Sequence, residues 1–476
     1  MLNTQIPSAP APACQAGKRL PSPLWARKAL LETGWASEVS VQVDSAGRIQ
    51  SVESNVEACA NAVRCGVLLP AIANIHSHSF QRAFAGLTEA RGADAGDSFW
   101  TWRDLMYRYL KHLNPDDIEA IAAYVFMETL KAGFCAIAEF HYLHHQPGGT
   151  PYTNLAETSH RMAAAAASSG IGLTLLPVLY QQGGCDGRPL HAGQARFYNS
   201  PDRFGHLRAE AEQAVASVAD DCLTGVAPHS LRAVSQEAVQ FVQSLAPEAP
   251  IHLHIAEQQA EVDEVMAAWR QRPVQWLLNH QPVDDRWCLV HATQMTPAET
   301  RGLAVSGAIA GLCPITEANL GDGIFDAVSY KNQGGKFGIG SDSNVRISLV
   351  GELRLLEYSQ RLRDHSRAAL AEQNRSTGRV LYESAASGGA QAAGRHSGGI
   401  SPGKLADLVA LNDDSVALSG LQGDTLLDSY LFAGGDELVT DVWSAGRHVV
   451  REGRHIDAQA ITARYQKTLK KLRALL

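Results

Sequence analysis

The apolar positions of this chain fall into two patterns. Residues 36–53 (ASEVSVQVDSAGRIQSVE) alternate apolar and polar side chains around a DSAG turn, which predicts a β-hairpin with one buried face. KLADLVALN (404–412) and VTDVWSAGRHVVREGRHI (439–456) alternate in the same way near the other end. Between these β-rich flanks lie eight short segments that are apolar on both faces. They are GVLLPAIANIHSH, GFCAIAEFHYL, GIGLTLLPVLY, CLTGVAPHSL, APIHLHIAE, RWCLVHAT, GAIAGLCPIT and KFGIGSDSN. Runs of this kind form buried parallel strands. Helix-compatible stretches such as 116–132 and 259–269 separate them, and ITARYQKTLKKLRALL at the end has helical spacing with a basic face, which reads as a solvated terminal helix.

Eight strand-then-helix units predict an α/β fold, a (β/α)8 TIM-like barrel, whose chemistry is built at the C-terminal ends of its strands. The polar residues of the apolar segments collect at those ends: His76, His78, His141, His229, His254, His291 and Asp342. A doubly wound open sheet would gather its site at one switch point instead. The expected division is an N-terminal arm and part of a small β-sandwich domain over 1–68, the barrel over 69–395, and the rest of the small domain with a terminal helix over 396–476.

Composition narrows the function classes. A formal net charge of -8 argues against nucleic-acid binding, without forbidding an anionic small-molecule substrate. No apolar run reaches membrane-spanning length, and the Pro/Ala-rich start lacks the ordered regions of a signal peptide. The eight cysteines are scattered with no C-x-x-C pair, the usage of reduced thiols in a cytoplasmic protein.

On a strand, His76 and His78 share a face and point together into the barrel mouth. Two such histidines are either metal ligands or side chains satisfied by backbone. IHLHIAE adds His254 at a strand end and Glu257 three residues later, CLVHAT adds His291, and GIGSDSN adds Asp342. A capping Asp, a hydrogen-bonded His or a helix-starting Glu explains each one singly. Their common position at strand ends favours a shared metal-dependent site. His252 lies deeper and reads as a core histidine, and His141, His144 and His145 read as structural.

The ordered set H-S-H (76–78), H-I-A-E (254–257), V-H-A (290–292) and G-S-D-S (340–343) resembles the deaminase branch of the amidohydrolase superfamily. The stretches LPAIANIHSHSFQRA, DSFWTWRDLMYR, AEFHYLHH, PHSLRAV, LHIAEQQAEVDEV and LCPITEANLGDGIF are similar to those of the formimidoylglutamate deiminase family. The resemblance implies one Zn2+ held by His76, His78, His254 and Asp342. It favours one metal over two, because a second usually needs a lysine at the end of the fourth strand and CLTGVAPHSLRAV has none. It implies catalytic roles for Glu257 in proton transfer, His291 in steadying the oxyanion and Asp342 as general base. It assigns Gln81, Arg103, Tyr142, His229 and Arg232 to a small-molecule substrate with two carboxylates, which arginine binds in planar, bidentate fashion. Arg82 is not among them. The activity implied is hydrolytic deimination of N-formimino-L-glutamate in histidine degradation, with a homodimer as the expected assembly and no nucleic-acid or membrane partner. A guanine or cytosine deaminase is the rival within the superfamily, and a non-catalytic metal-binding scaffold the rival outside it. Gly-Asp-Gly (321–323) lacks the lysine of a phosphate loop and reads as shaping the mouth, with Glu317 and Asn319 lining or bracing it. Pro314-Ile315 and Asn344-Val345-Arg346 depart from the family pattern close to the site.

Overall fold

Sheets of two kinds arise from the two apolar patterns. The computed structural model describes residues 23–89 and 99–475, with side chains for 23–89 and 105–475. The N-terminal flank forms β1 (Leu24–Leu31), β2 (Gly34–Val43), β3 (Ile49–Glu53) and β4 (Val63–Pro70). The middle forms β5 (Ile72–Ser77), β6 (Phe134–His141), β7 (Gly172–Leu179), β8 (Leu223–Thr224), β9 (Ala227–Pro228), β10 (Ile251–Ile255), β11 (Trp287–His291), β12 (Ile309–Leu312) and β13 (Lys336–Ile339). The C-terminal flank forms β14 (Leu408–Leu411), β15 (Val439–Ser444), β16 (Arg447–Arg451) and β17 (Arg454–His455).

Both flanks build one eight-stranded sheet in the order β17-β16-β15-β14-β4-β1-β2-β3. The predicted hairpin is β2–β3, paired antiparallel from Ser40 opposite Glu53 to Val43 opposite Ile49. An apolar cluster that includes Leu24, Val39, Val41, Leu68, Leu408 and Trp443 packs separately from the main core. Hydrogen bonding joins these eight strands in one continuous sheet. The segment GVLLPAIANIHSH is also divided, because the chain leaves β4 at Ala71 and starts β5 at once.

The middle strands are parallel and buried on both faces. β5 to β8 run side by side with β9 paired to β7, and β10 to β13 form a second set. Parallel bridges join the sets: Val226 with Ile251, Ser230 with His254, and Ser77 with Asp342. Helices such as Pro115–Lys131, Glu157–Ser169 and Gln259–Trp269 follow the strands. The Gly/Ala-rich residues SGGAQA (387–392) end the helix Thr377–Ala392, which packs on β13 and β5. A Cβ at Gly388 would come within 1.9 Å of the Phe337 carbonyl oxygen, so only glycine lets this helix approach so closely.

The terminal helix Ala458–Arg473 is not simply solvated. Ile461, Tyr465, Thr468 and Leu472 form an apolar stripe against Pro115–Lys131, and Tyr465 stacks on Tyr124 at 4.0 Å. The basic charges that look like a free face partly pair across this contact, as Lys471 does with Asp117 at 2.6 Å. No helix among the described residues is long and apolar enough to cross a membrane.

The small sheet and the parallel strands are tied by a buried ionic network. Asp221 accepts from Arg447 (2.7 Å) and Arg395 (3.2 Å), and Arg395 grips Asp407 with two bonds of 2.9 and 3.0 Å. Burial alone would raise the Asp221 pKa, but the bonds from Arg447 and the charge of Arg395 hold it well below the usual carboxylate range.

Candidate active site

Side chains at the C-terminal ends of β5, β6, β9, β10 and β11 and after β13 converge on one point. Residues 76 and 78 share a strand face, which turns both imidazoles toward His254 of β10. Their Nε2 atoms lie 3.2 Å (His76–His78), 3.3 Å (His78–His254) and 3.0 Å (His254–His76) apart. Asp342 Oδ1 lies 3.5 Å from His76 Nε2 and 3.4 Å from His78 Nε2. Three neutral imidazoles cannot all satisfy one another in such a triangle, since each has at most one N–H to give. A tetrahedral ion with 2.0–2.1 Å bonds sets its ligands roughly 3.3 Å apart, close to the separations among the three imidazoles and from Asp342 to His76 and His78. The four residues fit a metal ion, and all are buried.

Local bonds preset this geometry. The Nδ1–H groups of His78 and His254 donate to the carbonyls of Phe140 (3.0 Å) and His229 (3.1 Å), leaving each Nε2 lone pair facing the centre. Burial keeps the imidazoles neutral, pushing His76 down to about 3 and His254 well below its ordinary value. His291 and Asp342 both adopt left-handed backbone, at φ 70° and 47°, which re-aims them from strand direction into the mouth.

Beside the cluster stand the groups that could move protons. His291 Nε2 is 3.7 Å from Asp342 Oδ2 and 3.8 Å from Glu257 Oε1, while its Nδ1 reaches Glu317 Oε1 at 3.3 Å. Burial opposes the imidazolium, but the carboxylates of Glu257, Glu317 and Asp342 outweigh it and raise the His291 pKa. Burial raises Glu257 to about 7, a carboxyl poised near neutrality. Glu261 holds the strand-end turn that presents Glu257, accepting from the amides of Ala256 (3.0 Å) and Glu257 (3.1 Å).

A cavity, open at its mouth, adjoins these residues. Gln81, Tyr142, His229 and Arg232 line it together with His78, His254, Glu257, His291 and Asp342. Gln81 Nε2 donates to Tyr142 Oη at 3.0 Å, and the His229 ring packs 4.6 Å from Tyr180. The side chain of Arg103 lies outside the described residues.

Other sequence readings meet specific partners. His252 bonds to the Ala392 carbonyl, His141 to Thr158, His144 to the Val178 carbonyl and His145 to the Tyr198 carbonyl, each away from the metal cluster. Glu317 does more than brace the mouth, because one oxygen serves both His291 and the Cys313 amide. Asn319 instead bonds to Glu89 on the exterior. Sequence reasoning missed Glu261, and placed Asp322 only within the Gly-Asp-Gly stretch that shapes the mouth. Asp322 is buried, bonded to Gln258, and raised to about 9 by burial and then by Glu257. The aromatic walls Tyr107, Tyr180 and Phe197 were missed too: Tyr107 comes from the helix Phe99–Leu110, Tyr180 directly follows β7, and Phe197 lies in a turn.

Comparison with known proteins agrees with this geometry. Residues 67–449 match the amidohydrolase family. A formimidoylglutamate deiminase of Pseudomonas aeruginosa is 48% identical over 440 residues, covering 91% of this chain and 96% of the relative. The crystal structure of an amidohydrolase from Brucella melitensis superposes with a TM-score of 0.91 at 46% identity, covering 95% of this chain and 99% of that one. An adenosine deaminase from Xanthomonas campestris, solved with bound zinc, shares the fold at a TM-score of 0.79 and 22% identity, covering 95% and 98%. From the matched span and the 48% identical relative, the chain belongs to the amidohydrolase family and is a hydrolase.

Proposed function

We propose that this protein is a zinc-dependent deiminase that hydrolyses N-formimino-L-glutamate to N-formyl-L-glutamate and ammonia, a step of histidine degradation. The observation that carries the reading is one cavity in which a four-residue metal cluster, a proton-carrying pair and a polar group for carboxylates meet. The similarity to a formimidoylglutamate deiminase supports the choice of substrate. The same reading takes 69–395 as a (β/α)8 barrel, supported by the bridges at both margins of the parallel sets. It takes 1–68 and 396–476 as the small domain, and a cytoplasmic location, supported by seven free cysteines among the described residues.

A divalent metal held by His76, His78, His254 and Asp342 would supply Lewis acidity and ready-to-ionise water. The residues of the chain do the rest. Asp342 accepts the proton of the attacking water as its oxygen bonds to the amidine carbon. Glu257, near neutrality in its buried setting, gives a proton to the imino nitrogen as the C=N electron pair moves onto it. His291, held by Glu317, donates to the developing oxyanion. The proton held by Asp342 then passes through Glu257 to the nitrogen, the C–N bond breaks with its electron pair leaving on ammonia, and the hydroxyl gives its proton to Glu257 as the new C=O bond forms. Arg232, Gln81, Tyr142 and His229 orient the carboxylates, with Arg103 as the second arginine of that group.

Ammonia release tests the proposal. Metal-loaded protein is assayed on N-formimino-L-glutamate, guanine and cytosine in parallel. Turnover of the first alone is the expected result. Turnover of a base in its place makes the protein a ring deaminase, and a metal-bound protein inert on all three is a scaffold.

A further inference from the structure

We infer that Arg82 is a positioning residue of the metal site, acting through the loop that carries Asp342. The inference rests on the metal reading above. Arg82 lies on the short turn Ser79–Phe84 after β5, one residue beyond Gln81, and does not line the cavity. Its guanidinium Nη1 donates instead to two carbonyls of the loop after β13, Asn344 at 2.7 Å and Val345 at 2.8 Å.

That loop needs holding. Asp342 and Asn344 both occupy left-handed backbone, at φ 47° and 56°, which non-glycine residues keep only when surrounding contacts over-determine it. The contacts form one lattice between β5 and the loop. Asn344 Nδ2 donates to Ser77 Oγ (3.1 Å), between the two metal histidines, and to the Asp342 carbonyl (2.9 Å). Ser341 Oγ donates to Asn344 Oδ1 (2.7 Å) and accepts from Asn74 Nδ2 (2.6 Å), and Asn74 Oδ1 accepts from the amides of Ser341 and His76. Backbone bonds of 2.9 Å run from the Asp342 amide to the His76 carbonyl and from the His78 amide to the Asp342 carbonyl.

Within this lattice Asn344 and Ser341 are neutral, and Arg82 supplies the charged donor on its outer side. Its own carbonyl accepts from Tyr465 Oη at 3.2 Å, which links the turn to the terminal helix. The departure Asn344-Val345 thus has a partner on β5's own turn. Three of the four metal ligands, His76, His78 and Asp342, belong to the two segments that Arg82 joins. Loss of the clamp lets Asp342 drift from the histidines without emptying the substrate pocket.

The test is zinc competition against a chromophoric chelator, using metal-stripped full-length wild type, Arg82→Gln and Arg82→Lys. Arg82→Gln is expected to raise the zinc dissociation constant by about 10- to 100-fold, the range for residues that support ligands. Arg82→Lys, still a charged donor able to reach more than one acceptor, recovers most of that loss. Fully reloaded Arg82→Gln keeps the wild-type KM for the dicarboxylate. Zinc held by Arg82→Gln as tightly as by wild type overturns the inference. So does a loss that Arg82→Lys does not relieve, or one matched by an equal fall in the melting temperature of the metal-free protein. If wild type itself takes up no zinc in the same titration, the metal reading fails and the inference with it.

Discussion

Replacing Arg232 by methionine tests the carboxylate side of the site. Arg232 follows β9 and reaches the cavity beside His229, and its Nε is buried without a hydrogen-bond partner among the described residues. Burial opposes its charge, but Glu261 and Tyr180 more than offset this and keep the guanidinium protonated. A buried donor with no protein acceptor is ready for a ligand carboxylate. Methionine fills similar space and removes the charge-assisted bond, worth about 1.5–3 kcal/mol. At about 1.36 kcal/mol per decade, kcat/KM falls roughly 10- to 150-fold. Steady-state ammonia release gives that ratio on N-formimino-L-glutamate. The same ratio is then measured on two analogues, one lacking the α-carboxylate and one with the side-chain carboxylate as an amide. If Arg232 binds a carboxylate, the mutational effect shrinks toward unity on one analogue and persists on the other. An equal loss on all three substrates refutes the contact and makes Arg232 a structural residue.

Glu257→Gln is expected to retain the metal, measured by elemental analysis, while kcat falls about 10²- to 10⁴-fold, the usual contribution of a positioned proton carrier. Near-wild-type kcat removes Glu257 from the proton path. Asp221→Asn strands Arg447 in the buried network, while Arg395 keeps Asp407, so the cost should sit near the lower end of the ~3–5 kcal/mol range for broken buried pairs. Because the native Asp221 pKa is depressed, its contribution is complete above the unfolded value of ~3.9 and decays as pH falls below it. Denaturation of wild type and variant at pH 7 and pH 3 should therefore show the gap narrowing in acid, and a gap that widens contradicts the network. Gly388→Ala forces the helix Thr377–Ala392 off β13 and should destabilise by at least ~1–3 kcal/mol in the same assay. A melting curve unchanged by that methyl group rules out the close approach.

The parts of the fold and site that the sequence made legible are those with a local period. His76 and His78 were legible because a strand repeats every two residues, and His254, His291 and Asp342 because buried strands end abruptly in polar side chains. Glu317 was legible only as lining or bracing the mouth, and Glu261 not at all. They sit on the helices that follow β12 and β10, where a glutamate near a helix start resembles an ordinary favourable charge. Only three-dimensional packing turns them back onto His291 and the Glu257 amide. Asp221 and Arg447 are 226 residues apart, so no pattern along the chain could pair them. The terminal helix was read as solvated from its basic face, while Ile461, Tyr465, Thr468 and Leu472 lie on its packed face. Arg82 was kept apart from the substrate residues but given no role, since its partners are backbone carbonyls of a distant loop.

The central claim is one metal ion held by His76, His78, His254 and Asp342 in the service of amidine hydrolysis. Adding zinc in steps to metal-stripped protein, and following ammonia release from N-formimino-L-glutamate, tests it most directly. Activity should rise from a negligible level in proportion to zinc and break at one equivalent per chain. Full activity in the stripped protein, or a rise continuing to two equivalents, contradicts the account.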